Sequence, residues 1–324
     1  MAEPTATRVV FQVPADQEGE RLDRVLSANV PGLSRARARV LLDLGGVFVD
    51  RVRVKVAGRT LRAGQRVEAY LGGVLSRASA ETGKEARDRA DAALPAPRIV
   101  FVDPHIVVIE KPAALISAPT PESDRGNARA LLAVQLGEPM LVVHRLDLGT
   151  SGLLLYARSA AANRVLAETF RTHDLLREYE ALLLGEVAWR ERTVDAPIEG
   201  RAARSHFSVA ESLRVHRFLD PATQGTVVTR VRCRLETGRT HQIRLHARHV
   251  GVPVLGDKLH GVRTPAALPP PPRLCLHAAR LSLRHPITGQ ALDFESALPP
   301  DLNEYLAALR RHAVTGAAVA SESV

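Results

Sequence analysis

Cysteine is almost missing from this 324-residue chain: Cys233 and Cys275 stand far apart, with no CxxC spacing. That excludes a disulfide scaffold and argues against a zinc framework, and the apolar neighbours make buried, inert thiols the expectation for both. No apolar run reaches the roughly 18 residues that a membrane-spanning helix needs. The opening MAEPTATRVVFQV has neither the charged start nor the apolar core of a signal peptide, so the chain reads as cytoplasmic. Neither a GxxxxGK[ST] nor a GxGxxG loop occurs, which argues against a nucleotide cofactor. Lysine is scarce too, confined to positions 55, 84, 111 and 258.

What is abundant is arginine. Lysine and arginine together number 44 against 35 acids, a net charge of 44 − 35 = +9 and a pI near 10.3. The bias fits a GC-rich genome, and arginine's planar fork also suits phosphate. A basic excess favours polyanionic partners without naming one. The length allows two domains, each with a core.

Texture divides the chain into an N-terminal extension (1–17), a compact α/β-like block (18–72), a linker rich in small and charged residues (73–96), a long block of alternating apolar and amphipathic stretches (97–312) and a tail (313–324). In the first block Ser34 is placed to cap a helix over SRARARVLLDL that Gly45 and Gly46 end. Arg35, Arg37 and Arg39 crowd its first turns, where the helix dipole disfavours cations. The following VFVDRVRVKVAGRTLRAGQRVEAYL alternates like strands and carries six basic residues from Arg51 to Arg66, Arg53 and Lys55 included, with no acid among them. This suits a phosphate-tracking surface more than the alternative of a solubilising face. Without interleaved aromatics, the block is expected to position RNA rather than read its bases.

In the long block, IVVI forms a strand ended by Lys111 and Pro112, and LVVHRLD a buried strand running into the turn LGTSG. LLLYA is another strand, with Ser159 capping the helix after it. On LLREYEALLLGEV, Tyr179, Ala181 and Leu183 share a face. In TRVRCRLETGRTHQIRLHARHVGVPVLGD the apolar residues Val231, Cys233 and Leu235 alternate with Arg230, Arg232 and Arg234. Gly238 is expected to permit a turn, Thr240 to cap a helix bearing His241, Arg244 and Arg248, and Gly251 to stop it. GTSG lacks the final glycine of a nucleophile elbow, and His241, His246 and His249 lie among arginines on different helix faces, which argues against a metal. What remains is Asp147 beside Arg145. A turn-holding ion pair and a controlled catalytic carboxylate are equally open on spacing alone.

RLDRVL, LSRARARVLL and GGVFVDRVRVK resemble the S-four-type RNA-binding domain, departing at Gln65 where an acid is usual. HRLDLGTSGLLL with LETGRTHQIRLHARHVGVPVLGD resembles the ribosomal-RNA pseudouridine synthases, over some 200 residues from IVFVDPHIVVIEKPAAL to LCLHAARLSLRHPITG. The resemblance implies an α+β fold: a small N-terminal α/β RNA-binding domain and a catalytic domain around a mixed, mostly antiparallel sheet. It implies Asp147 as the catalytic aspartate, Arg145 as the group entering the RNA stack, Tyr179 as the tyrosine packed on uracil and a candidate acceptor of its C5 proton, and Arg244 as the carboxylate's partner. Isomerisation of uridine needs no metal and no other cofactor. The implied partner is RNA, most simply large-subunit ribosomal RNA, for a chain acting as a monomer. Leu148, Gly149, Arg177, Ala114, Glu110 and His260 depart from the common pattern and bear on substrate choice. Two other readings stay open: an enzyme acting on transfer RNA, and a silent RNA-binding or ribosome-assembly factor.

Overall fold

The computed structural model describes residues 7–72, 75, 94–121, 123–124, 126–215 and 225–314. Most of the expected linker, and the expected tail from residue 315, lie outside the described residues. The chain divides into two compact units: Met1–Ala96 with Leu115–Pro139, and Pro97–Ala114 with Met140–Val324.

The first unit holds β1 (Thr7–Gln12), α1 (Leu22–Asn29), α2 (Arg35–Leu44), β2 (Val47–Val49), β3 (Val52–Arg53) and β4 (Arg66–Leu71). Ser34 caps α2 as expected, its Oγ accepting from the Arg37 N–H at 3.3 Å, and Gly45 ends it at φ 82°. The strands form an antiparallel sheet in the order β1-β4-β2-β3. Leu22, Leu26, Leu41 and Leu42 pack with Val47, Val49, Val67 and Ala69 on one sheet face.

Two boundaries differ from the sequence reading. Residues 7–12, assigned to an extension, form β1 and pair along β4. The alternation after Val47 yields two short strands before β4, because Asp50 and Arg51 both take positive φ (50° and 68°) and reverse the chain in a two-residue hairpin. A third difference lies further on. The segment 115–139, assigned to the long block, groups with the first unit and carries α3 (Ala128–Leu136). The Arg53 guanidinium donates to the Thr120 carbonyl (2.5 Å), Lys55 reaches Asp124 (2.8 Å), and the Asp124 N–H donates to the Leu44 carbonyl (3.1 Å).

In the second unit, among the described residues, eleven strands form one mixed sheet: β5 (Arg98–Val102), β6 (Ile106–Lys111), β7 (Leu141–Val142), β8 (Ser151–Ala157), β9 (Leu176–Leu184), β10 (Glu191–Val194), β11 (Ser205–Val215), β12 (Thr226–Leu235), β13 (Leu276–Arg284), β14 (Ala291–Glu295) and β15 (Ala313–Val314). The main path runs β10-β11-β12-β9-β13-β8-β6-β5. Its pairs are antiparallel except β8 with β13, so the sheet is mixed and mostly antiparallel, as the resemblance implied. Residues 313–314, expected in a tail, pair with β11. The helices are α4 (Ala160–Thr172), α5 (Gln242–His249) and α6 (Pro300–Arg311). Ala162 and Leu166 of α4 pack on Leu153 and Leu155 of β8, while Leu302, Leu306 and Leu309 of α6 pack with Leu213 and Val228. Cys233 and Cys275 are buried, free thiols. No helix among the described residues is long and apolar enough to cross a membrane.

Candidate active site

Gly152 fixes where the site forms. It sits at φ 110°, and a Cβ there would come within 2.2 Å of the Ala278 carbonyl oxygen. Only glycine lets β8 approach β13 this closely. Because these two strands run parallel, the loops entering them lie at the same end of the sheet. One of those loops carries Asp147. Its expected strand is short, ending at Val142, and residues 143–150 form the presenting loop. The Thr150 N–H donates to the Asp147 carbonyl (3.1 Å), and the Ala114 N–H to the Leu148 carbonyl (2.9 Å). The other loop contributes Arg273, which donates to the Gly149 carbonyl (3.2 Å) and to Ser151 Oγ (2.9 Å).

Arg244 approaches from α5. The residue preceding that helix is His241 at φ 55°, with no capping side chain, so Thr240 is not the cap that the sequence suggested. Gln242 braces the turn instead: its Oε1 accepts from the Arg239 N–H (3.0 Å) and Thr237 Oγ1 (2.7 Å). Gly238 lies beside Arg177, where a Cβ would come 2.6 Å from the guanidinium end of that side chain.

The Arg244 guanidinium is shared between two carboxylates. Nε and Nη2 each donate to Asp257 at 2.7 Å, and Nη1 donates to Asp147 at 3.1 Å. Burial opposes its charge, but the hydrogen bonds and charge of Asp257, then those of Asp147, hold its pKa above the ordinary value. Burial also works against the Asp257 carboxylate, yet the bonds from Arg244 and from the His260 and Leu259 N–H groups bring its pKa below the usual range. Asp257 was missed in the sequence; its signal was the last letter of GVPVLGD, one of two acids in an arginine-rich motif. Asp147 is the more accessible carboxylate, its side chain 25% exposed against 1% for Asp257.

Tyr179, on β9 between Cys233 of β12 and Ala278 of β13, is 8% exposed. Burial pushes its phenol up to about 12, Arg177 opposing the shift and Asp147 adding to it. Asp147 and Tyr179 are therefore within electrostatic reach of one another. Lys111, missed as a site group, is buried at the end of β6. Burial and the charge of Arg273 lower its amine to about 7, against the pull of Asp147. His241 Nε2 lies 3.9 Å from Asp147, and its Nδ1 meets His260 Nε2 at 2.8 Å. Arg177, on the face of β9 that carries Tyr179, lies over the Phe170 ring (5.5 Å), and no described acceptor reaches its Nε or Nη2.

Matching residues 105–249 is the model of RNA pseudouridylate synthases, and matching residues 20–67 is that of S4 domains. The ribosomal large subunit pseudouridine synthase D of Yersinia pestis is 34% identical over 92% of this chain and 93% of its own length. The chain belongs to the RNA pseudouridylate synthase family. The same-named relative from Nitrosomonas europaea is 35% identical over 93% of this chain and 88% of its own. Human RNA pseudouridylate synthase domain containing 4, a solved structure, superposes with a TM-score of 0.53 at 22% identity, over 69% of this chain and 96% of that one, a likeness of fold.

Within this synthase the sequence-derived residues separate. Asp147 and Arg244 are hydrogen-bonded, and Tyr179 lies within electrostatic reach of Asp147. Arg145 is exposed and has no side-chain partner among the described residues, so it is not the ion-pair partner of Asp147. In the first unit, Arg35 and Arg39 each donate to Asp23 Oδ2 (3.0 and 2.9 Å), Arg21 donates to Oδ1 (3.1 Å), and Asp23 is fully buried. Arg53 and Lys55 bind the 115–139 segment. Arg37 and Arg51 are left exposed, without side-chain partners among the described residues.

Proposed function

We propose that this enzyme isomerises specific uridines of large-subunit ribosomal RNA to pseudouridine, with Asp147 as the reacting carboxylate. The observation that carries the reading is the Asp147–Arg244–Asp257 cluster within electrostatic reach of a buried tyrosine. An RNA-binding factor needs no such buried arrangement, which favours an active enzyme over a silent one. Ribosomal rather than transfer RNA is favoured by the names of both curated relatives.

The reaction breaks the N1–C1′ bond, turns the base and joins C5 to C1′; C5 loses a proton and N1 gains one. A stacked uridine must first be flipped out, at a cost of a few kcal/mol. Arg145, exposed and two residues from Asp147, is the group we assign to enter the stack there, as the family resemblance implies. Arg244 orients Asp147 and offsets its charge, and Asp257 holds Arg244 in place. In the free protein Tyr179 keeps its proton, since its pKa is about 12. Once Asp147 forms a bond to sugar or base its negative charge is gone, while the cation of Arg177 remains. The phenol is then more easily ionised, so it can give its proton to N1 and take the one that C5 releases, which returns Tyr179 to its starting state.

Asp147→Asn is expected to abolish pseudouridine formation in large-subunit ribosomal RNA from cells lacking the wild-type gene, while the purified variant still binds that RNA. Restored modification would remove Asp147 from the chemistry. An unmodified-site map identical with and without the gene would remove the ribosomal substrate.

A further inference from the structure

The first unit contains an arrangement that its sequence conceals. Phe48 and Tyr70 are 22 positions apart, but β2 pairs with β4 so that both rings stand on the sheet face opposite the core, their centroids 5.6 Å apart at 73°. The core face is supplied by Val47, Val49, Val67 and Ala69, so the two aromatics are not core filling. With Arg8, Arg51 and Arg66 they line an open depression of about 400 Å³.

We propose that this depression holds an unpaired RNA nucleotide, its base against Phe48 and Tyr70 and its phosphate on Arg51 and Arg66. The inference rests on the reading of RNA as substrate and names a second contact with it.

Charge supports this occupant. Glu68, the acid of this face, is satisfied by Arg8 (2.6 Å), Tyr70 Oη (3.2 Å) and Arg66 (3.3 Å). Three arginines (Arg8, Arg51 and Arg66) therefore face one neutralised carboxylate. Arg66 Nε is buried with no acceptor among the described residues, and Arg51 has no side-chain partner among them. Arg51 also occupies the hairpin tip at φ 68°, where glycine or asparagine is unstrained and arginine is not. Strain of this kind persists at functional positions. The unpartnered guanidinium of Arg51 and the unfilled Nε of Arg66, beside two rings, match a phosphate joined to a planar base. Bases inside a duplex are stacked on each other and cannot reach the rings, so the nucleotide is single-stranded.

The test uses the full-length protein, a labelled oligouridine and a duplex of equal length. Phe48→Leu and Tyr70→Leu are expected to weaken single-strand binding about tenfold and duplex binding less than about twofold. Tyr70→Phe, which keeps the ring, is expected to rescue what Tyr70→Leu loses. Arg51→Gln, an exposed change that spares the core, is expected to lower the slope of log affinity against log salt by about 0.7. A 4-thiouridine strand is expected to cross-link to peptides containing Phe48 or Tyr70. Equal single-strand affinity of the leucine variants and wild type would overturn the proposal. So would equal losses for duplex and single strand, or leucine variants that lose a protein partner and not RNA. The two readings fail separately: an absent cross-link with pseudouridine still formed removes this contact alone, and a cross-link without pseudouridine formation removes the isomerase reading alone.

Discussion

Arg244 divides five N–H donors between two carboxylates, and the division assigns work to each. The two bonds to Asp257 are parallel and short, the geometry that fixes a guanidinium in its plane. The longer bond to Asp147 leaves that carboxylate free to move on to substrate. A lysine has one nitrogen and cannot span both acids. Arg244→Lys is therefore expected to lower kcat about 100-fold, through misplacement of Asp147, with RNA affinity within about threefold of wild type. Single-turnover rates and equilibrium binding measured on the same variant check this. The partnership of Asp147 and Arg244 was legible because both lie in recognisable motifs. Asp257 and Lys111 were not, because burial, which a lone letter does not carry, is what makes them part of the site. Lys111 gives a second prediction. Its amine is lowered from 10.5 to about 7 in the folded protein, so the unfolded chain binds more protons between those values. Stability from this group is complete above about 10.5 and is lost as pH falls towards 7. Wild type is thus expected to gain up to about 1.4 kcal/mol per pH unit relative to Lys111→Met between pH 7 and 9.5. Urea unfolding of both proteins across that range measures it; parallel curves would mean that Lys111 titrates normally.

At the scale of elements, helix α2 shows how a charge pattern can mislead. Arg35, Arg37 and Arg39 read as one basic surface, but successive turns point them differently, and two of the three converge on Asp23 of α1. Burial works against the Asp23 carboxylate, yet the bonds from Arg21, Arg35 and Arg39 bring its pKa well below the usual range. Two of the helix-start cations are thus structural, which answers why they tolerate the dipole there. Arg35→Gln and Arg39→Gln are each expected to cost about 1 kcal/mol of stability, a modest figure because both arginines are half exposed. Arg37→Gln is expected to leave the urea midpoint nearly unchanged and to weaken RNA binding, most visibly at low salt. The reverse allocation, with Arg37 stabilising and Arg35 binding, would contradict the geometry. The hairpin after Val47 was legible as strands, but not the place of its turn. Apolar and basic letters keep alternating through the turn, so periodicity alone cannot register that Asp50 and Arg51 reverse the chain.

For the whole molecule, the division into units matters more than the net charge of +9. The chain leaves the first unit at Ala96, enters the second, returns as Leu115–Pro139 and leaves again, so the first unit is not a removable N-terminal piece. No compositional break marks that return: the 115–139 stretch is apolar and turn-rich like its neighbours, and its membership depends on Arg53, Lys55 and the Leu44 carbonyl, some 70 positions earlier. Deleting residues 1–96 takes away all three partners and leaves Thr120 and Asp124 without them. The truncated protein is therefore expected to be cut by trypsin at Arg129 much faster than the full chain, and to melt several degrees lower. Any fall in its RNA affinity would then mix lost contacts with lost structure. Equal protection of Arg129 in both proteins would show that the segment is held by the second unit, and would make the truncation a clean test of RNA binding. Unequal protection leaves single-residue changes in the full-length chain as the valid probe, because they alter charge without removing the partners on which Leu115–Pro139 depends.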